Sequence, residues 1–257
     1  MELGKLADTF RRVKKPSYCG AVIVAAGSAT RMKGIDKNIA PLAGVPVIKR
    51  TAQVFQNCDA VREIVIVTRP DLIQPITQLC RDLDKVRAVV AGGASRQESV
   101  NLGLNALSDK VKLAAIHDGA RPLITTQLID TVIRAADTYG AAAPFIPVKD
   151  TIKVCKGGLV EHTPDRKTLM AVQTPQVFDY DILRGALKKA KEEGREVTDD
   201  CSAAEMMGVK IKTVTGDERN LKITTPMDLK IADMLLEGMQ CGSDTDTMYI
   251  AWSPDGN

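Results

Sequence analysis

Short apolar runs alternate with amphipathic stretches along most of this 257-residue chain. Residues 21–24, 63–67, 86–90 and 113–116 are brief and rich in β-branched side chains, as buried strands are. Between and after them, residues 47–55, 72–82, 97–107 and 126–139 repeat apolar positions at helical spacing. This alternation predicts βαβ units. It implies a Rossmann-like α/β fold, a mostly parallel sheet covered by helices on both faces. Residues 141–148 add a further strand.

The rhythm breaks over residues 149–166. Two β-prone runs flank Lys156-Gly157-Gly158, a hairpin signal, and no helix follows. A hairpin without its own core must lie on something, either the parent domain or a second subunit. Beyond it the pattern predicts a strand over 171–178 and helices over 181–193 and 199–207. A strand over 210–214 and a last helix over 226–237 follow. No repeat or linker divides the chain. The expected organisation is a basic extension over 1–17, one domain over 18–239 with an arm at about 149–170, and a polar tail over 240–257 carrying Trp252.

Composition narrows the function classes. The chain is 44% hydrophobic but only 4% aromatic, so the core is aliphatic. A net charge of +3 argues against a nucleic-acid groove and permits a local anion site. The 6 cysteines are scattered without a C-x-x-C pair, which points to free thiols in a reducing cytoplasm, not to zinc or a disulfide framework. No run reaches the length of a membrane span, and the basic leader lacks the apolar stretch of a secretory signal.

Candidate chemistry gathers in loops after strands. Ala25-Ala26-Gly27-Ser28-Ala29 removes side-chain bulk, and Arg31, Lys33 and Lys37 follow. A bare backbone beside cations suits a polyphosphate. The spacing is neither a dinucleotide fingerprint nor a P-loop, which sets a dehydrogenase aside. Gly92-Gly93-Ala94-Ser95-Arg96-Gln97-Glu98-Ser99 opens a helix. Its glycines would admit a planar base, Ser99 could bond base or ribose, and Arg96 could reach phosphate; Ser95 and Glu98 also read as a plain capping box. His117-Asp118-Gly119-Ala120-Arg121 ends a strand, where open α/β sheets bind ligands. Asp118 there could orient Mg²⁺ or a hydroxyl, or simply pair with Arg121; His117 reads as a packed residue. Thr198 and Asp199 read as a helix cap. Lys222, between Leu221 and Ile223, points away from their packing face.

In the order AAGSATRM, DK, GGASRQESV, HDGARP, DTIKV, PDRKTLMAVQTPQ, TDDCSAAE and GDERNLKITTPMDL, the chain resembles the 2-C-methyl-D-erythritol 4-phosphate cytidylyltransferase family over roughly residues 19–236. The resemblance implies an enzyme that uses CTP, a polyol phosphate and Mg²⁺. It assigns Arg31, Lys37 and Lys222 to the triphosphate and transition state. Ala26, Gly27, Gly93, Arg96, Ser99 and Gly119 fall to the CTP, and Asp118 lies beside substrate and metal. Thr151, Arg166 and Thr174 would hold the methylerythritol phosphate and Thr198 would support that pocket, with Thr151 and Arg166 entering the partner subunit's site from the arm of a homodimer. The chain departs from the family pattern at Asp36 and Asn38 around Lys37, which leaves Lys33 as the other candidate for the second loop cation. Ala29 and Ala94 stand where glycine and an acid are common. Ribitol-5-phosphate cytidylyltransferase is the nearest alternative, and a non-catalytic nucleotide-binding protein is the alternative of another class.

Overall fold

A computed structural model describes residues 16–27 and 36–241. Arg31, Lys33, Trp252 and most of the basic extension lie outside the described residues.

The first strand, β1 (Cys19–Ala25), is followed by a small hairpin of β2 (Pro41–Leu42) and β3 (Val45–Pro46) that the apolar pattern did not announce. Its turn places Ala43 and Gly44 at φ 45° and 76°, and two-residue strands carry too little periodicity to be seen. The βα series then runs α1 (Val47–Gln56), β4 (Val61–Thr68), α2 (Ile73–Leu79), β5 (Val86–Ala91), α3 (Arg96–Asn105), β6 (Leu113–Asp118) and α4 (Thr126–Tyr139). Gly140, at φ 82°, ends α4 in the left-handed conformation and turns the chain directly into β7 (Ala141–Pro147). The arm is β8 (Val154–Lys156) and β9 (Leu159–His162), joined through Gly157 and Gly158 at positive φ. Among the described residues it pairs only with itself, and Leu159 and Val160 are 76% and 59% exposed.

The predicted strand over 171–178 is two strands, β10 (Met170–Val172) and β11 (Gln176–Asp179). Both run antiparallel to β7, but Pro175 between them has no N–H to give a ladder. The chain closes with α5 (Tyr180–Glu192), α6 (Asp200–Glu205), β12 (Lys212–Thr215) and α7 (Pro226–Cys241).

The central sheet has eight strands in the order β10-β7-β11-β6-β1-β4-β5, with β12 pairing β7. The ladders around β1, and β12 against β7, are parallel; those of β10 and β11 are antiparallel. Alternation along β1 divides the core. Ala21 and Ile23 face α1, α2 and α4, packing with Phe55, Ile76 and Ile129. Val22 faces the other layer, with Val100, Leu104 and Leu183 of α3 and α5. A third cluster seats α7 through Leu229 and Ala232 against Leu42, Val47, Ala120 and Ile223. No described helix is long and apolar enough to cross a membrane.

Gly103 lets α3 lie flat on the sheet. A Cβ there would stand 2.4 Å from Val22 Cγ1 and 2.8 Å from Val67 Cγ2. Overpacking of this kind costs about 1–3 kcal/mol, against a helix-propensity gain of about 1 kcal/mol. Gly103→Ala is therefore expected to lower the urea midpoint with an unchanged slope. A midpoint at or above wild type would mean that α3 is free to move outward.

Candidate active site

A cavity of about 430 Å³ opens at the C-terminal ends of β1, β5 and β6. Its lining joins the three loops singled out in the sequence: Val24 to Gly27, Gly93 to Arg96 with Ser99, and Asp118 with Ala120. Lys37, Asn38 and Lys222 complete it. Parallel strands leave their loops on one edge, which is why distant segments meet there.

The glycine loop is rigid through its own hydrogen bonds. Gly93 N donates to Ser99 Oγ at 3.1 Å, and Ser99 Oγ donates to Ser95 O at 2.9 Å. Ser95 caps α3 by accepting from Glu98 N at 3.0 Å. The Glu98 carboxylate closes on Ala94 N at 2.9 Å, one residue before the partner a capping box would use. A Cβ at Gly92 would come 2.4 Å from Ala26 Cβ, and one at Gly93 would come 2.2 Å from Glu98 Cγ, so both positions need glycine in this arrangement. Thus the Ser99 hydroxyl shapes the loop, and the loop presents backbone.

Opposite it lies a charged centre on Asp118, which is 8% exposed. Lys222 Nζ and Arg121 Nε reach the same oxygen, Oδ2, at 3.0 and 3.3 Å. Burial works to raise the Asp118 pKa, but Lys222, Arg121 and Arg96 outweigh it and bring it down to about 2. Thr174 accepts from Asp118 N at 3.1 Å and bonds His117 Nδ1 at 3.0 Å. His117 is fully buried, 4.8 Å from the Phe55 ring, and does not line the pocket, in keeping with the packed reading. The Lys222 loop is tied down on both sides. Ile223 N donates to Ala120 O at 2.8 Å, and Asn220 Nδ2 donates to Thr174 O at 2.9 Å. Leu221 and Ile223 join the core, so Lys222 faces the opposite way, as the alternation predicted.

Arg96 lines the pocket and pairs with Asp200 at 2.7 Å. Burial opposes the Arg96 charge and Asp200 more than restores it. Gln176 completes this corner by accepting from Asp200 N and Cys201 N and donating to Asp199. Asn38, Asp200, Gln176 and Asn220 are the structural members of the site that sequence reasoning missed. Asn38 stood beside Lys37, but the others carry no local pattern that separates them from ordinary polar residues.

The remaining candidates lie elsewhere. Gly119 packs inward, its N–H on Val24 O and its Cβ position 2.9 Å from Ile48 Cδ1, while its neighbour Ala120 lines the cavity. Thr151 and Arg166 are exposed on the arm, outside this chain's pocket, with Arg166 Nη1 on Lys149 O at 2.7 Å. Thr198 is exposed just before the Asp199 cap of α6 and also lies off the lining.

Among the described residues no cluster of three or more His, Cys, Asp or Glu is built to hold a metal. Asp118 is the single carboxylate of the described lining. One ionised carboxylate fits a Mg²⁺ ion held mainly by nucleotide phosphates.

The profile of the 2-C-methyl-D-erythritol 4-phosphate cytidylyltransferase family matches residues 19–238. A relative of that name from Caldanaerobacter subterraneus is 44% identical over 225 residues, 84% of this chain and 97% of the relative. One from Geobacillus kaustophilus is 42% identical over 219 residues, 84% and 96% of the two chains. Among solved structures, 4-diphosphocytidyl-2C-methyl-D-erythritol synthase from Anaerococcus prevotii superposes with a TM-score of 0.78 at 30% identity, covering 86% of this chain and 96% of its own. The cytidylyltransferase from Thermus thermophilus gives 0.70 at 30% identity, covering 86% and 99%.

The buried histidine makes stability depend on pH. Burial pulls the His117 pKa from 6.5 down to about 4, against the opposing pull of Asp118. Below about pH 6.5 the unfolded chain takes up this proton and the folded one does not, so stability falls toward pH 4, by on the order of 3 kcal/mol. His117→Gln is expected to flatten that decline in urea titrations between about pH 7 and about pH 4.5. An unchanged slope would show that His117 titrates normally.

Proposed function

The chain belongs to the 2-C-methyl-D-erythritol 4-phosphate cytidylyltransferase family, and we propose that the cavity on β1, β5 and β6 is where it performs that reaction. CTP and 2-C-methyl-D-erythritol 4-phosphate give 4-diphosphocytidyl-2-C-methyl-D-erythritol and pyrophosphate, a step of isoprenoid biosynthesis. The observation that carries the assignment of the site is the contact of Lys222 with Asp118 across from the glycine loop.

Cytosine lies against the bare backbone of Ala26, Gly27 and Gly93, and the triphosphate runs toward Lys37 and Lys222. Arg31 belongs to the same group by family resemblance. A phosphate oxygen of the acceptor attacks the α-phosphorus. That oxygen–phosphorus bond forms as the bond to the β-phosphate breaks, and pyrophosphate leaves with the electron pair. The nucleophile is already an anion, so neither a covalent intermediate nor a strong base is required, and the described lining holds no histidine or cysteine. The work of the site is positioning and charge stabilisation. Asp118 is the residue that would hold Mg²⁺, which would supply positive charge to neutralise the nucleotide phosphates.

The acceptor pocket is shared between two copies of the chain. Thr151 and Arg166 sit on an arm that covers no core of its own, exposes Leu159 and Val160, and does not reach this chain's cavity. A partner's arm supplies these residues in a homodimer. Free thiols at Cys19, Cys58, Cys80, Cys155 and Cys201 suit a cytoplasmic enzyme.

Pyrophosphate release is expected with CTP, Mg²⁺ and methylerythritol phosphate, and not with ribitol 5-phosphate; a preference for ribitol phosphate would move the acceptor assignment. Lys222→Ala is expected to lower kcat about a hundredfold, on the order of 3 kcal/mol, and to leave the protein folded through Arg121 but with a lower thermal midpoint, because Asp118 loses one of its two paired cations. Turnover within a few-fold of wild type would remove Lys222 from the reaction.

Composite sites allow a second check. Lys222→Ala and Arg166→Ala are each expected to be nearly inactive alone and to regain activity when unfolded and refolded together, because one heterodimer site then has both groups intact. No recovery on mixing would mean that each chain builds its own site.

A further inference from the structure

A second cavity, about 600 Å³, lies outside the site and is larger than it. It runs between α3 and α5, which are antiparallel. Tyr180, opening α5, donates its hydroxyl to Leu104 O near the end of α3 at 3.1 Å, and Gln97 Nε2 in the first turn of α3 donates to Leu187 O at 3.0 Å.

The walls of this groove are of two kinds. Leu102, left 38% exposed, and the packed Leu187 and Ala190 give it an apolar strip. Arg184, Lys188 and Lys191 follow at one-turn spacing along α5, and Arg195 extends the row, against the lining acids Glu98 and Glu196. Lys188 pairs with Glu192 at 3.7 Å and Arg195 with Glu193 at 3.2 Å, both well exposed and therefore weak. Lys191 forms no ion pair among the described residues. Like charges at one-turn spacing repel, and on a convex helix they would be a solvated face. Here they border a concavity with an exposed leucine.

We propose that this groove is a binding site for a small amphipathic anion, an organic phosphate with an apolar chain. The chain lies along Leu102, and the head group meets Lys191 and Arg195. That end adjoins the start of α3, where Ser95 lines both cavities and Glu98 lines the groove while holding Ala94 N of the nucleotide loop. An anion at Lys191 and Arg195 repels the Glu98 carboxylate and loosens its hold on that loop, so occupancy weakens CTP. By linkage CTP weakens the occupant equally. The site stands whether or not the acceptor assignment above holds, because binding is read without turnover.

The probe is octyl phosphate, titrated calorimetrically into the full chain, with inorganic phosphate as the control. Wild type is expected to bind octyl phosphate and not inorganic phosphate at the same concentrations. Lys191→Gln with Arg195→Gln removes two charge-assisted contacts without adding negative charge beside Glu98, and is expected to weaken binding about tenfold or more. Leu102→Asp is expected to weaken it as well. All variants should keep wild-type circular dichroism and the wild-type calorimetric Kd for CTP, and octyl phosphate should raise that Kd in wild type but not in the charge-neutralised variant. Equal binding by wild type and variants would place the probe elsewhere and overturn the proposal. So would equal binding of inorganic phosphate, or no binding at all.

Discussion

A carboxylate at the end of a central strand, buried to 8% exposure, is stable only if something compensates its lost hydration. For Asp118 that compensation comes from Arg121, three residues on, and from Lys222, more than a hundred residues away. Much of the later chain is arranged around this requirement. Asn220 fastens the Lys222 loop to the segment holding Thr174, Thr174 fixes the Asp118 backbone, and Ile223 anchors the loop beneath α7. The charge centre and the third core cluster are therefore one construction, and the cation is placed before any phosphate arrives. Preorganisation of this sort lets a site of a few charges act without a nucleophile of its own.

The glycine loop answers a different demand. A nucleotide base is flat and must approach main chain closely, so the loop has to be bare yet fixed. Gly92 supplies the bareness by meeting Ala26 where no Cβ fits. Ser95, Glu98 and Ser99 supply the fixity, using their side chains on the loop's own N–H and C=O groups. Arg96, at the edge of the lining, pairs with the buried Asp200 and so docks the start of α3 to α6. One face of the cavity is thus neutral backbone and the other charged side chains, matching the two ends of a nucleotide.

Much of this was legible in the sequence because it rests on local chemistry. Apolar periodicity located the βα series, and the α4 span of 126–139 agrees to the residue. The hairpin signal at Gly157-Gly158 held, and the alternation of Leu221, Lys222 and Ile223 gave the direction of Lys222. What could not be read depends on long-range contact. The division of 171–178 into β10 and β11 follows from where that segment pairs, not from its composition. The Ser99 and Thr174 hydroxyls read as ligand contacts in the sequence, and the fold adds that they also bond the loop and Asp118. Gln176 and Asn220 matter because of partners 24 and 46 residues away, a relation that no window along the chain contains.

The position of β11 bears on how the chain is made. β6 and β7 are neighbours in sequence, yet β11 lies between them in the sheet. A ribosome delivers β1, β4, β5 and β6 first, and these can join at once as adjacent parallel ladders. β7 then emerges with no sheet edge to occupy until residues 176–179 have followed it out. Its buried strand, Ala141-Ala142-Ala143, has to wait as an unpaired edge through that interval. Non-local pairing of this kind is slow and exposes apolar surface while it is incomplete. Translation speed over the arm and β10 thus governs how long the nascent protein is open to misassembly.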